Sequence, residues 1–353
     1  MRSTERVRVL AVGAGYFARF HHAAWTAHDE VELVGIVDPD PRAARAAAEA
    51  VAQAAGQAAG DVPVFGSLRE GLRLGPDLVD VATPPDTHLD LVAESLAAGR
   101  PTVCQKPFAG GLEGAREAVR LAEAAGVPLV VHENVRFQPW YRAMRREIAA
   151  GRLGTVLQAT FRLRPGDGQG PDSYLGRQPY FRTMPRLLVH ETAVHWVDTF
   201  RYLLDGEPRR VFADLRRINP AVAGEDAGTV LMDFGEARAL FDGNRHLDHA
   251  ARDTRLTLGE ALVEGTAATL ALDGAARLSR RAHGETATAA IPLRLGEGFG
   301  AGCVGALQAH VVDHVLRGAP LENEARHYLA NLEIVEAIYR SAAEGCWVPL
   351  TRS

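Results

Sequence analysis

The strand-like run Val9-Leu10-Ala11-Val12 ends in Gly13-Ala14-Gly15 and passes within three residues to Ala18, inside a helical pattern. A strand that turns at once into a helix through glycines at this spacing builds one kind of unit, a parallel sheet covered by crossover helices. The alternation continues through the first third of the chain. Short apolar runs at 7–12, 32–37, 78–83, 102–104 and 129–132 read as strands. Between them, 16–27, 41–59, 87–98 and 112–125 carry apolar residues at helical spacing, the last two closing on Gly99 and Gly126. The alanine-rich stretch 43–59 is helical by propensity.

In such a turn Gly13 permits the sharp bend and Gly15 lets the backbone approach a pyrophosphate. Ala18 keeps helix and strand close, and the helix N-terminus favours the anion. The pattern alone also describes a purely structural glycine turn; its place between a strand and a helix favours a dinucleotide site. Asp38 ends the second strand where a carboxylate accepts hydrogen bonds from both ribose hydroxyls. This favours NAD over NADP, whose added phosphate would face that carboxylate, with Arg42 as a partial offset. The structural alternative for Asp38 is a helix cap ahead of Pro39 and Pro41.

After about residue 135 the pattern changes. A helix at 138–150 leads into longer β-like segments at 156–163, 211–215, 229–234 and 269–272, and runs of strands with few helices between them indicate an antiparallel sheet. Segment 164–186, rich in Gly, Pro, Arg and aromatic residues, has no periodicity and reads as a long loop, functional or mobile. Helical patterns return at 304–317 and 325–344. The expected fold is α/β: a Rossmann dinucleotide-binding domain over 1–132, then an α/β domain over 133–353 with a large open, mostly antiparallel sheet, its C-terminal segment packing back on the first domain.

At 353 residues the chain exceeds what one core usually supports. Its 39 basic and 44 acidic residues are dispersed and supply no field for a polyanion, so nucleic acid is not an expected partner. Cys104, Cys303 and Cys346 are odd in number and far apart, which speaks against a disulfide framework or zinc knuckle and for a reduced cytoplasm. Residues 1–8 carry no apolar leader, and later apolar stretches fall short of the roughly 20 residues a membrane helix needs.

Several motifs recur in order: Gly13-Ala14-Gly15 with His21, Val37-Asp38-Pro39-Asp40, Ala82-Thr83-Pro84-Pro85 with His88, Gln105-Lys106-Pro107, Asn134-x-Arg136-Phe137, Glu191-x-x-x-His195-x-x-Asp198, and Asn331-Leu332 to Ser341. In these the chain resembles, over nearly its whole length, the Gfo/Idh/MocA oxidoreductases, named for glucose-fructose oxidoreductase and inositol dehydrogenase. The resemblance implies a cofactor site of Gly13, Gly15, Tyr16, Phe17, Asp38, Thr83, Pro84, His88, Gln105 and Lys106. It also implies a substrate site including Asn134, Arg136, Glu191 and His195, and a homo-oligomer, dimer or tetramer, formed through the open sheet. Two positions depart from the family pattern: Gln105 stands where members commonly carry Glu, and Glu191 where they commonly carry Asp. Gln105 keeps hydrogen-bonding capacity but removes a charge beside Lys106.

Oxidising an alcohol requires one residue to accept the hydroxyl proton and another to hold the oxygen while hydride leaves for the nicotinamide. His195 suits the first task and Lys106 the second, although the roles are exchangeable. Taken singly, His195 equally fits a structural histidine and Lys106 a surface lysine. Glu191, four positions before His195 in a helix expected over 191–204, shares its face and either orients the imidazole or binds substrate. His190 and His195 are five apart, roughly 140 degrees round an α-helix, so this is not a zinc-protease motif and no metal is expected. Asp198 reads as a helix-stabilising residue paired with Arg201 or Tyr202.

In the long loop Arg164, Arg177, Arg182 and Arg186 interleave with Tyr174, Tyr180 and Phe181, a composition suited to carboxylates and sugars, with Arg182 the foremost substrate candidate. Asp242-Gly243-Asn244-Arg245-His246 is a second polar cluster. The function expected is an NAD-dependent dehydrogenase acting on a polyol, sugar or cyclic hydroxylated acid. An NAD-dependent glycosidase with transient oxidation and a non-catalytic dinucleotide-binding regulator remain alternatives, since fold alone does not choose.

Overall fold

The computed structural model describes residues 6–56 and 61–350. The end of the helix expected over 41–59 and the first five residues lie outside them. Two compact units divide the chain: Met1–Asn134 with Gly302–Ala330, and Val135–Ala301 with Asn331–Ser353.

In the first unit the alternating runs form β1 (Val7–Val12), β2 (Val31–Val37), β3 (Val64–Phe65), β4 (Leu78–Val81), β5 (Thr102–Gln105) and β6 (Leu129–His132). They make one sheet in the order β3-β2-β1-β4-β5-β6, every pair parallel. β4, β5 and β6 are buried at every position, as strands covered on both faces must be. The helices are α1 (Ala18–Thr26), α2 (Pro41–Ala54), α3 (Leu68–Leu72), α4 (His88–Ala97) and α5 (Leu112–Ala125). α2 starts on Asp40, whose side chain accepts the Arg42 N–H at 2.9 Å, so the cap considered for Asp38 belongs two residues later. β1 pairs with both β2 and β4. The strand order reverses there, and the crevice beyond the strand ends at such a reversal is where these sheets bind ligands.

The second unit begins with α6 (Pro139–Ala149) and contains a nine-stranded sheet. Its strands are β7 (Val156–Leu163), β8 (Arg210–Arg216), β9 (Ala227–Asp233), β10 (Arg238–Asn244), β11 (Gly259–Gly265), β12 (Ala268–Leu272), β13 (Leu278–Ala282), β14 (Ala289–Ile291) and β15 (Val348–Pro349). The order is β14-β13-β12-β11-β7-β10-β9-β8-β15, antiparallel except for β7 with β10. Alternation along β7 buries Ala159, Phe161 and Leu163 on one face. Phe161 stacks on Trp196 of α7 (Val194–Leu204) with ring centroids 4.0 Å apart. The opposite face, with Thr160, Arg162, Glu260 and Leu262, lines an open groove of about 800 Å³. The remaining helices are α8 (Thr254–Thr257), α9 (Cys303–Arg317) and α10 (Ala325–Glu344); α9 packs on α1 in the first unit.

One expected element changes character. Instead of an α-helix from Glu191, residues Leu188–Ala193 form a wider π-helical turn and α7 begins at Val194. The cause is external hydrogen bonding. Leu188 N–H donates to the Glu225 carbonyl at 2.9 Å, Val189 N–H to Glu225 Oε1 at 3.1 Å, and His190 N–H to the Tyr339 hydroxyl at 3.2 Å. With these donors held from outside, the turn is free to widen. The 140-degree separation of His190 and His195, derived for α-helical geometry, therefore does not carry over. Among the described residues no group of three or more His, Cys, Asp or Glu side chains is arranged to hold a metal ion.

Candidate functional site

The glycine turn fits a dinucleotide. Gly13 has φ +107°, and a Cβ on it would lie 2.4 Å from the Ala82 carbonyl oxygen, so only glycine fits between the β1 and β4 ends. Gly15 is exposed, and a Cβ there would meet nothing within 4 Å; the space over its backbone is what a pyrophosphate needs. The start of α1 carries no side-chain cap and no acidic residue in its first turn, leaving its positive end to an anion. Tyr16 and Phe17 border this turn, with the Arg19 guanidinium 4.3 Å from the Tyr16 ring centroid.

Asp38, expected at a ribose, has a structural task as well. Its Oδ2 accepts the Ala14 N–H at 2.8 Å and its Oδ1 the Asp40 N–H at 2.9 Å, so the carboxylate braces the glycine turn. An ionised carboxylate has about four acceptor positions, which leaves room for sugar hydroxyls. His88, expected at the cofactor, is fully buried, and its Nε2 lies 2.9 Å from the Thr83 carbonyl. Burial pushes this imidazole below its ordinary range. It bears on the cofactor loop through Thr83, whose hydroxyl also accepts from Thr87 at 2.7 Å, while Pro84 sits exposed at the turn.

Lys106 is half-buried just after β5, and its backbone N–H donates to Gln105 Oε1 at 2.6 Å. Behind it lies a buried polar cluster. Gln105 Nε2 is 2.9 Å from His21 Nε2, His21 Nδ1 is 2.9 Å from Asp80 Oδ2, and the Trp25 indole donates to the same oxygen at 2.6 Å. Desolvation works to raise the Asp80 carboxyl, but the hydrogen bonds it accepts from His21 and Trp25 hold it below the ordinary value. The His132 ring lies over His21 with centroids 4.0 Å apart. Burial lowers His22 to about 4 and drives His132 well below its ordinary value. Asn134 is buried, and its Nδ2 finds no hydrogen-bond partner among the described residues.

In the second unit the structure revises several expectations. Arg136, expected at substrate, forms a two-pronged pair with Asp198, both bonds 2.6 Å, and the Asn331 amide donates to Asp198 at 2.8 Å. Its planar fork is matched to that carboxylate. Arg201, one of the partners considered for Asp198, bonds instead to Glu207 and Asn331. Arg182, the foremost substrate candidate, donates to the carbonyls of Pro171 at 2.6 Å and Ser173 at 3.4 Å. Arg164 pairs with Asp242, Arg177 with Asp167 and Arg186 with Glu336.

The long loop is anchored. Arg245, at 5% exposure, donates to Asp167 at 2.7 Å, to the Tyr174 hydroxyl at 2.9 Å and to Thr192 at 2.7 Å, with its guanidinium over the rings of Tyr174 and Phe181. Asn219 Nδ2 reaches Gly168 O, Gly170 O and Ser173 Oγ. The polar cluster at 242–246 is thus the end of β10 followed by this anchor. Glu191 is buried in the π turn and close enough to Tyr180 that, with desolvation, its charge raises that phenol. His195 is half-buried at the start of α7, its ring 6.3 Å from Trp196.

The sequence reading missed Asp80, His132, Arg245 in its anchoring role, and the Glu225–Tyr339 clamp. Asp80 had a signal, a lone charge inside a strand that is otherwise Leu and Val. Glu225 and Tyr339 had none, because their partner is a backbone far along the chain.

The comparisons with known proteins agree with this geometry. Residues 7–133 match the model described as oxidoreductase family, NAD-binding Rossmann fold, and residues 141–270 the GFO/IDH/MocA C-terminal domain. The chain is 34% identical to a D-apiose dehydrogenase of Paraburkholderia graminis, over 99% of this chain and 91% of that one. It is 30% identical to the D-apiose dehydrogenase of Rhizobium rhizogenes, over 98% and 97%. A solved oxidoreductase from Agrobacterium radiobacter, in complex with NAD+, L-tartaric acid and magnesium, superposes with TM-score 0.85 at 27% identity, covering 98% of each chain. The chain is a member of the GFO/IDH/MocA oxidoreductase family, built from its NAD-binding Rossmann domain and its C-terminal domain.

Proposed function

We propose that this protein is an NAD-dependent dehydrogenase that oxidises a hydroxyl group of a small neutral sugar or polyol, with D-apiose the first compound to test. The observation that carries the choice of substrate class is the engagement of the arginines. Arg136, Arg164, Arg177, Arg182, Arg186 and Arg245 each hold a carboxylate or backbone carbonyl of the protein itself. A substrate carboxylate would compete with these existing partners, whereas sugar hydroxyls need only the hydrogen-bonding groups and aromatic faces around Glu191 and Tyr180. The likeness to two D-apiose dehydrogenases supports the same class.

NAD, when bound, supplies the hydride acceptor. The residues that would hold it are the glycine turn with Tyr16 and Phe17, Asp38 at the ribose, and the Thr83-Pro84 and Gln105-Lys106 loops. His195 takes the hydroxyl proton, Lys106 holds and polarises the oxygen, Glu191 orients the imidazole or a substrate hydroxyl, and Asn134 offers its buried amide to substrate. Asp38 favours NAD over NADP. The reading extends to a homo-oligomer formed through the open sheet face, where Leu262 and Leu295 are 41% and 50% exposed beside the groove.

The experiment is a panel of D-apiose, inositols, other aldoses and tartrate assayed with both cofactors by nicotinamide absorbance. Net NADH with a neutral sugar or polyol, at a higher kcat/KM than with tartrate, supports the reading. Preference for the hydroxy acid rejects the neutral class. Cleavage of a chromogenic glycoside without net NADH identifies the glycosidase instead.

A further inference from the structure

The buried cluster behind Lys106 has a direction that its donors and acceptors fix. A backbone N–H only donates, so the Gln105 atom 2.6 Å from Lys106 N is the amide oxygen. The other end of that amide also only donates, and it points at His21 Nε2 across 2.9 Å, so this ring nitrogen accepts and carries no proton. The imidazole proton then sits on Nδ1, facing Asp80. Every bond runs the same way: Lys106 N–H to Gln105, Gln105 to His21, His21 to Asp80.

The other groups around His21 agree with a neutral ring. From β6 the His132 ring covers it, and from α1 His22 lies near; burial keeps both in their neutral forms. From β5 the Cys104 thiol is pushed up by burial and by Asp80, and from α9 the Gln308 amide donates to the His21 carbonyl at 3.2 Å. Phe17 supplies an aromatic edge. Asp80 is the one formal charge among these groups.

We propose that Gln105 is a positioning residue for Lys106 that locks His21 in its neutral, Nδ1-protonated form and insulates the Lys106 site from the buried Asp80–His21 pair. An amide cannot relay a proton, so the cluster holds the Lys106 backbone without passing a proton to it. A carboxylate at 105 would reverse this. It would still accept the Lys106 N–H, but His21 Nε2 would then face an acceptor and take up a proton, becoming imidazolium between two carboxylates. The net charge stays at −1 in both cases, since the added carboxylate and the added proton cancel. The difference is one extra titrating proton and a negative charge placed beside Lys106.

The functional arm rests on the catalytic reading of Lys106; the spectroscopic arm does not. In histidine-selective ¹⁵N spectra of the wild-type protein at neutral pH, His21 should show one protonated nitrogen, Nδ1. In Gln105→Glu both nitrogens should be protonated at neutral pH. A doubly protonated His21 in the wild type overturns the proposal without any variant, and so does a Gln105→Glu spectrum identical to the wild type. On a sugar substrate, the falling alkaline limb of kcat, where Lys106 loses the proton with which it polarises the oxygen, should move up by about one pH unit in Gln105→Glu, because a nearby opposite charge favours the protonated lysine. A neutral wild-type His21 with an unmoved limb overturns the link to Lys106. If Lys106→Ala leaves kcat intact while the spectra stand, the catalytic reading fails and the histidine lock survives.

Discussion

Asp38 has a structural task in the fold and, in the proposed function, a place at the ribose. It braces the glycine turn through the Ala14 N–H and keeps acceptor positions for a ribose. Asp38→Ala should therefore weaken NAD and narrow its advantage over NADP in calorimetric titrations; tighter NADP binding by the unmodified protein would contradict the assignment. Lys106 and His195 are assigned to one bond-breaking step, so their losses should not add. Each alanine variant should lower kcat by roughly 10²- to 10⁴-fold with NAD affinity retained, and the double variant should lose far less than the product. A folded Lys106→Ala enzyme with near-normal kcat contradicts that. At this scale the sequence was legible where a residue acts next to its own motif, as Gly13 and Asp38 do. The pairing of Arg136 with Asp198 was not legible, because its partner lies 62 positions away.

Among the elements, those whose signals are local were read with little error. β1 (Val7–Val12), β6 (Leu129–His132) and α5 (Leu112–Ala125) carry their own periodicity, and α5 ends on Gly126 in the left-handed conformation. β3 and α3 were passed over because two and five residues are too few to show a period. The π turn was invisible for another reason: Glu225 and Tyr339, which hold its first N–H groups, lie 36 and 149 positions away. The loop at 164–186 was read as a loop, yet not as an anchored one, since Arg245 and Asn219 reach it from distant sequence. Arg245→Met should release it. The expected outcome is faster proteolysis within 164–186 and a sugar KM raised about tenfold, with NAD affinity unchanged, since removing one partner of a buried charge pair typically costs several kcal/mol locally. Unchanged proteolysis and KM would show that the loop needs no such anchor.

For the molecule as a whole, the strand order reversing beside β1 accounts for where the dinucleotide turn lies, and the open sheet face is where the proposed second copy would bind. Leu262→Glu should shift the mass measured by light scattering toward monomer without loss of helix or strand signal, and an unchanged mass would place the contact elsewhere. The central claim is hydride transfer from a neutral sugar carbon to NAD. Its most direct measurement uses a sugar found active in the panel, deuterated at the oxidised carbon, with the nicotinamide product analysed by mass spectrometry. The account predicts one deuterium in each NADH formed, and accumulation of NADH equal to the sugar oxidised. Loss of deuterium to solvent without net NADH, or no transfer from any neutral sugar or polyol, would contradict it.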